Sequence, residues 1–282
     1  VDLKNLPIGD QRVSSGPQSG YVWSCQTQFN GGGAFTTGAW FNQAAGTYDL
    51  TAKPTVDGSV TWPSQFAFSV QGDKRIVESN NLPNHPTGNY PVSQSDDAYA
   101  YDRNPNSISE QSLRFELPLN PSLAAQPQCV GGEIGVLLTG AVIFNAFDAA
   151  GRDAVAHEIQ DACGGHPQRT GIYHYHSLTP CLAESTGGHS PLMGYAFDGF
   201  GIYGHHGENG EAMTNANLDE CHGHPHVIEW EGQRVEMYHY HATYEFPYVV
   251  GCYRGTPAVR GPVGEAGGVG GPQGQPPPGR QP

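Results

Sequence analysis

The chain has 282 residues, with 13 Lys and Arg against 27 Asp and Glu, and a net charge of −14. Binding to a phosphate backbone needs clustered cations; no basic patch and no long apolar run is visible, so nucleic-acid binding and membrane insertion are excluded as expectations. Only 14% of residues are charged, and the 39 Gly, 23 Pro and 14 Tyr describe a turn-rich, β-dominated protein rather than a helical bundle.

Residues 1–20 are polar, contain Ser15-Gly16-Pro17, and are expected to form a flexible N-terminal arm. From residue 21 to 256 the text predicts one β-rich, sandwich- or barrel-like domain with many loops. Tyr21–Phe29 alternates as a strand does, and Ser59–Trp62 and Phe66–Val70 do so in part. Breaks fall at Gly31–Gly33, Asp57-Gly58 and Gly72-Asp73. Residues 93–111 read as a long polar loop and Leu113–Leu117 as a strand. Glu133–Phe144 is the strongest apolar run and predicts a buried strand pair. One short helix is expected near 152–162, with Val155, Ile159 and Ala162 on one stripe and Asp153 capping its start. Residues 164–256 are short segments between Gly, Pro and His, and Asp198-Gly199 reads as a turn. Residues 257–282 form a Gly/Pro-rich tail. Gly recurs at every third place from Gly261 for four triplets. That is too short for an unaided collagen helix, so the tail reads as polyproline-like or as a segment for self-assembly. Trp23, Trp40, Trp62 and Trp230 suit either a carbohydrate-binding face or a β core.

The most informative feature is an internal duplication. Asp161-Ala-Cys163-Gly-Gly-His166-Pro167 leads to Tyr173-His174-Tyr175-His176 and then Cys181. Asp219-Glu-Cys221-His-Gly-His224-Pro225 leads to Tyr238-His239-Tyr240-His241 and then Cys252. Histidines two apart on an extended chain point the same way, so His174 with His176, and His239 with His241, are candidate metal-ligand pairs. His166 and His224 are the candidate third ligands. Two arrangements fit: one four-His site between the units, or two three-His sites. Imidazole ligation suits copper or zinc and not Ca²⁺. Asp161 and Asp219 are candidates either for orienting a ligand histidine from behind or for capping a loop. Glu158 and Glu220 are weaker candidates for an acid or base, and His157 and Asp161 for a surface pair. No nucleophile elbow, phosphate loop or dinucleotide fingerprint occurs.

The six cysteines contain no Cys-x-x-Cys, which favours disulfides over a thiolate zinc site. Equivalent cysteines in duplicated units should do equivalent jobs. That pairs Cys163 with Cys181 and Cys221 with Cys252, and leaves Cys25 with Cys129. Val1 and the lack of an apolar leader suit a mature secreted or periplasmic form.

At the two Tyr-His-Tyr-His units the chain resembles the YHYH-domain family of bacterial secreted proteins. The resemblance runs over roughly residues 73–256. It includes Asn81-Leu-Pro-Asn-His-Pro86, Gly132–Val136, Gly151–Ala154, Gly194–Gly199, Leu218–Cys221 and Phe246–Gly255. It implies an exported single domain and supplies no biochemical role. His205, His206, His222 and His226 are additions to the pattern, and His85 lies within it as a ligand or a turn residue. The leading expectation is an exported metal-binding protein using paired His-x-His ligands. The alternatives are a metal-dependent extracellular enzyme (hydrolase or copper oxidase) and an extracellular structural or filament subunit.

Overall fold

The computed structural model describes residues 1–184 and 187–258. The expectations for the tail, from residue 259 onward, lie outside the described residues. Among the described residues, fourteen strands form three open sheets. The first is small: β1 (Leu6–Pro7), β2 (Phe41–Asn42) and β3 (Thr47–Tyr48), in the order β1-β3-β2. The second holds β4 (Phe66–Gln71), β5 (Lys74–Ser79) and β6 (Leu113–Pro118) as an antiparallel meander. The third has eight strands: β7 (Glu133–Leu137), β8 (Val142–Phe144), β9 (Gly165–Pro167), β10 (Tyr173–Tyr175), β11 (Leu192–Ala196), β12 (Gly201–Tyr203), β13 (Gly223–Trp230) and β14 (Gln233–His241). Their spatial order is β13-β14-β12-β11-β7-β8-β10-β9.

That order contains the duplication, which extends further upstream than the histidine motif. β7 pairs antiparallel with β8, β8 parallel with β10, and β10 antiparallel with β9. β11 pairs antiparallel with β12, β12 parallel with β14, and β14 antiparallel with β13. Two copies of one four-strand unit therefore join through the antiparallel β7–β11 pair at the centre of the sheet. Gly135 and Gly194 occupy equivalent places at that junction. A Cβ on either would collide with a backbone carbonyl of the opposite strand, Tyr195 or Val136. Both connecting turns use a glycine in the left-handed region, Gly140 (φ 90°) and Gly199 (φ 89°), where an L side chain is strained.

One apolar cluster runs through all three sheets, from Leu6 and Tyr48 through Val77 and Phe115 to Val136, Ile143, Ile202 and Tyr240. Phe68 meets Tyr195 edge-on at 5.6 Å and Phe115 meets Phe197 at 4.8 Å, joining the meander to the large sheet. Trp40 and Trp230 are buried, and Trp23 and Trp62 pack against the same cluster, so the tryptophans fill the core.

Four local expectations change. Residues 1–20 are not a loose arm. Leu6 is buried and β1 pairs with β3, Gly9 N–H donates to Asp153, and Asp10 meets His157. Tyr21–Phe29 makes isolated bridges instead of a strand, with Val22 against Val13 and Ser24 against Val130. The sheets do not close into a barrel. The helix α1 is one turn, Ala154–His157, capped as expected by Asp153, whose carboxylate accepts from Ala156 N–H. It stops because the following backbone has stronger tertiary partners. Ile159 N–H donates to the buried Asp102 carboxylate, and the Gln160 carbonyl accepts from Val56 N–H. His157 consequently pairs with Asp10 rather than Asp161.

The three disulfides are Cys25–Cys129, Cys163–Cys181 and Cys221–Cys252. The last two close equivalent loops, each tying the start of a Tyr-His-Tyr-His unit to the chain beyond it. With its cysteines 18 positions apart, the Cys163–Cys181 bridge stabilises by about 3 kcal/mol on a loop-closure scale. Non-reducing peptide mapping is expected to return these three pairs, and a Cys163–Cys221 link would contradict them.

Candidate metal centres

Each unit gathers its own histidines, so they form two separate clusters and not one shared group of four. In the first, His166 on β9 and His174 on β10 are direct cross-strand neighbours, and His176 follows two residues on. In the second, His224 on β13 and His239 on β14 are neighbours in the same register, followed by His241. The candidate ligand atoms of His166, His174 and His176 lie within 4.8 Å of one another, as do those of His189, His224, His239 and His241.

The surrounding backbone sets the tautomers. His174 Nδ1 lies 3.3 Å from the Ile172 carbonyl and His176 Nδ1 lies 2.6 Å from the Asn145 carbonyl. The second copy repeats this, with His239 Nδ1 3.2 Å from Met237 O and His241 Nδ1 2.7 Å from Gly204 O. A carbonyl can only accept, so each Nδ1 carries the hydrogen and a neutral ring presents a bare lone pair at Nε2. These Nε2 atoms face each other at 3.2 Å in both pairs. Two bare lone pairs cannot bond to each other, and a cation placed between them would be held by both. A tetrahedral ion with bonds of about 2.0 Å spaces its donors by about 3.3 Å, which is the separation found.

The fourth group differs between copies. In the first it is Glu158, whose Oε2 lies 3.3 Å from His166 Nε2 and 3.4 Å from His176 Nε2. Glu158 Oε2 and His166 Nε2 are buried without a hydrogen-bond partner, a costly state for polar atoms. In the second it is His189, whose Nε2 lies 3.2 Å from His239 Nε2 while its Nδ1 donates to the Ser190 carbonyl at 2.8 Å. His224 Nε2 is likewise buried and unpartnered. Neither Glu158 nor His189 belongs to the repeated motif. Glu158 becomes available because the helix ends before it and its backbone turns extended (φ −79°, ψ 145°). The only sequence signal for His189 was a histidine in a Gly-Gly-His-Ser-Pro loop.

Burial keeps these rings neutral. Desolvation, reinforced by neighbouring imidazoles, holds His166 and His174 well below the usual histidine value. Desolvation also lowers His176 and His224 to about 4, His241 to about 3 and His239 to about 2. Glu158 is pushed well above the usual carboxylate value by desolvation and by the Asp148 and Asp102 charges. A histidine lowered on folding binds fewer protons folded than unfolded between its folded value and about 6.5. The contribution of the clustered histidines to the stability of the metal-free protein should therefore fall as pH drops from 6.5 towards 4. Protons compete with metal on the folded protein only below the folded values. Metal affinity of the all-histidine second centre, measured by calorimetry on His174→Ala/His176→Ala, is accordingly expected to stay nearly level from pH 7.5 to 5 and to fall below that. A steep loss centred near 6.5 would contradict it.

The tyrosines of the motif point to the opposite face and anchor it. Tyr173 O–H donates to Asp161 (2.9 Å) and Tyr238 O–H to Asp219 (2.9 Å). The same carboxylates accept Cys163 and Gly165 N–H in one copy, and Cys221 and Gly223 N–H in the other. Asp161 and Asp219 are thus loop caps that fix the tyrosines, and they make no hydrogen bond to a clustered histidine. Tyr175 O–H donates to Thr139 and Tyr240 O–H to Asp198, at equivalent places in the two copies. Asp198 combines its turn with that anchor and accepts Gly255 N–H. His85 is held by Tyr175 O–H and the Pro86 carbonyl. Although it lies near Cys163 and Cys181, those sulfurs are joined to each other. His205 and His206 pair with Glu184, and His222 with Thr243. His226 stacks on His189 at the rim of the second cluster and meets Glu208. The Glu220 carbonyl lies 3.8 Å from the Cys252 sulfur, and Glu220 belongs to neither histidine cluster.

Fold and site together define a disulfide-stapled, mainly β protein with one histidine cluster in each half of a duplicated sheet. Residues 114–213 match the family model described as YHYH protein, and this is the family that the sequence resembles. The matched span covers the first Tyr-His-Tyr-His and ends before the second, whose equivalence rests on the repeated sequence and on the sheet topology. No curated protein and no solved structure matches the chain. Three disulfides suit an oxidising, extracytoplasmic setting, and no helix among the described residues is long and apolar enough to cross a membrane.

Proposed function

We propose that the protein is an exported transition-metal-binding protein with two histidine centres, one in each copy of the unit. The observation that carries this reading is the pair of His-x-His sites whose Nδ1 atoms are committed to carbonyls and whose Nε2 lone pairs converge at 3.2 Å. The first centre offers three donors, His166, His174 and His176, with Glu158 beside them; the second offers four, His189, His224, His239 and His241. Nitrogen donors of this kind suit Zn²⁺ and copper. The disulfides and the family favour release from the cell or retention in a periplasm. The assembly reading, through disulfides, tyrosine packing and the Gly/Pro tail, is the weaker one, because all six cysteines pair within the chain.

The test is calorimetric titration of chelator-stripped protein with Zn²⁺ and with Cu²⁺. Two ions per chain are expected. Each filled site should add about 2.7 kcal/mol of stability at a hundredfold excess over Kd. Absence of binding by both metals would return the clusters to polar core packing.

A further inference from the structure

The two centres differ in access. The second is ringed by four histidines, and the neighbouring cavity, about 670 Å³, touches only His189 of the four. The first forms the floor of a cavity of about 790 Å³ that reaches His166, His174, His176 and Glu158. A site whose positions are filled by protein is closed, and one that faces a cavity can take an exogenous ligand.

The walls of the larger cavity suggest the ligand. Its apolar flank is Phe29, Phe35, Phe144 and Phe147. Phe144 lies on His174, with ring centroids 4.1 Å apart. Arg103 and Arg169 stand on the lining with exposed side chains and take part in no ion pair among the described residues. Arg103 is steadied by the Phe35 ring at 4.4 Å. Two uncommitted arginines in one cavity stand out in a chain with 13 Lys and Arg and a net charge of −14. Three acidic groups also face this space. Asp102 accepts from Ile159 and Asn104 N–H, and Asp148 is paired with Arg152. The third, Glu158, has its Oε2 unpartnered and aimed at the cluster. With a divalent ion on the cluster, the free cationic groups outweigh the free anionic ones.

We propose that the first centre is a binding site for a small oxyanion carrying an apolar group, such as a phosphate ester or a carboxylate. The oxyanion completes the coordination of the ion held by His166, His174 and His176. Arg103 and Arg169 recognise its remaining charge, the phenylalanine wall takes its apolar part, and Glu158 accepts a hydrogen bond from it when the ligand carries a proton. This rests on the reading of the cluster as a metal centre. The second copy has a fourth histidine in place of the carboxylate and holds its ion without an exogenous ligand.

The test uses the full chain, stripped by chelator and loaded with Co²⁺, whose visible spectrum reports changes in coordination. Two Co²⁺ per chain are expected. Phenyl phosphate should then alter the spectrum with saturation at one equivalent. The response should persist in His239→Ala/His241→Ala and disappear in His174→Ala/His176→Ala. Arg103→Ala/Arg169→Ala should bind both Co²⁺ ions normally and need about tenfold more phenyl phosphate. These are exposed side chains, so that variant keeps the test decisive if a histidine variant fails to fold. Two bound Co²⁺ without a spectral response would overturn the oxyanion site and leave the metal reading standing. So would a response that survives loss of His174 and His176, or an arginine variant with unchanged affinity. Failure of Co²⁺ to bind would overturn both.

Discussion

Replacing His174 and His176 together by alanine is expected to remove one of two bound metal ions and to leave the other at its original affinity. Replacing His239 and His241 should remove the other ion. The centres occupy opposite halves of the eight-stranded sheet, separated by β12, β11, β7 and β8, and share no histidine. Additivity is the expectation for such distant sites. Each double variant should forfeit the thermal stabilisation of one occupied site. Replacing His205 and His206, which meet Glu184, should change neither ion. The readout is metal stoichiometry by calorimetry with melting temperature alongside. A His174/His176 variant that still binds two ions would sink the two-centre account.

Glu158→Gln should act in opposite directions on the empty and the loaded protein. Glu158 is buried beside the carboxylates of Asp148 and Asp102, and its value is raised well above normal, by desolvation first. A carboxyl raised on folding holds more protons folded than unfolded above about 4.5. Its contribution therefore worsens as pH rises through that point. Removing the charge should stabilise the metal-free protein by about 1–3 kcal/mol at pH 7, and hardly at all near pH 4. At about 2–4 °C per kcal/mol for a chain of this size, the shift is readable in a melting curve. The same change should weaken metal at the first centre by about 10–100-fold and leave the second centre unaffected. Glu158→Gln that lowers the metal-free melting temperature at pH 7 would show the carboxylate to be a structural anchor instead.

What the sequence made legible follows from what repeats in it. Tyr-His-Tyr-His alternates strictly, so the shared face of His174 and His176 could be read directly, and two copies made His166 and His224 equivalent. The same equivalence fixes the pairing of Cys163 with Cys181 and Cys221 with Cys252. Glu133–Phe144 was legible as a strand pair because its apolar run is broken only at Thr139-Gly140. Its counterpart, Leu192–Tyr203, does not read as a copy in sequence. There Ala141-Val-Ile143 is matched by Phe200-Gly-Ile202 and Thr139 by Asp198, so the identity is structural rather than literal. The helix was overextended because periodicity does not report that Asp102 and Val56 claim the backbone of Ile159 and Gln160. For the same reason the sequence offers Glu158 only as a weak acid or base candidate and does not place it beside the histidines. His189 lies outside the repeat, and only the fold brings it within 3.2 Å of His239. Residues 1–20 look loose by composition, yet Gly9 and Asp10 meet α1 through Asp153 and His157.

The most direct measurement is anomalous scattering from crystals of protein saturated with Zn²⁺ and recorded at the zinc edge. Two peaks per chain are expected. One should lie among His166, His174 and His176 beside Glu158, the other among His189, His224, His239 and His241, each about 2.0–2.1 Å from the coordinating nitrogens. No peak at either cluster in saturated crystals would contradict the account and leave the facing imidazoles as a polar core.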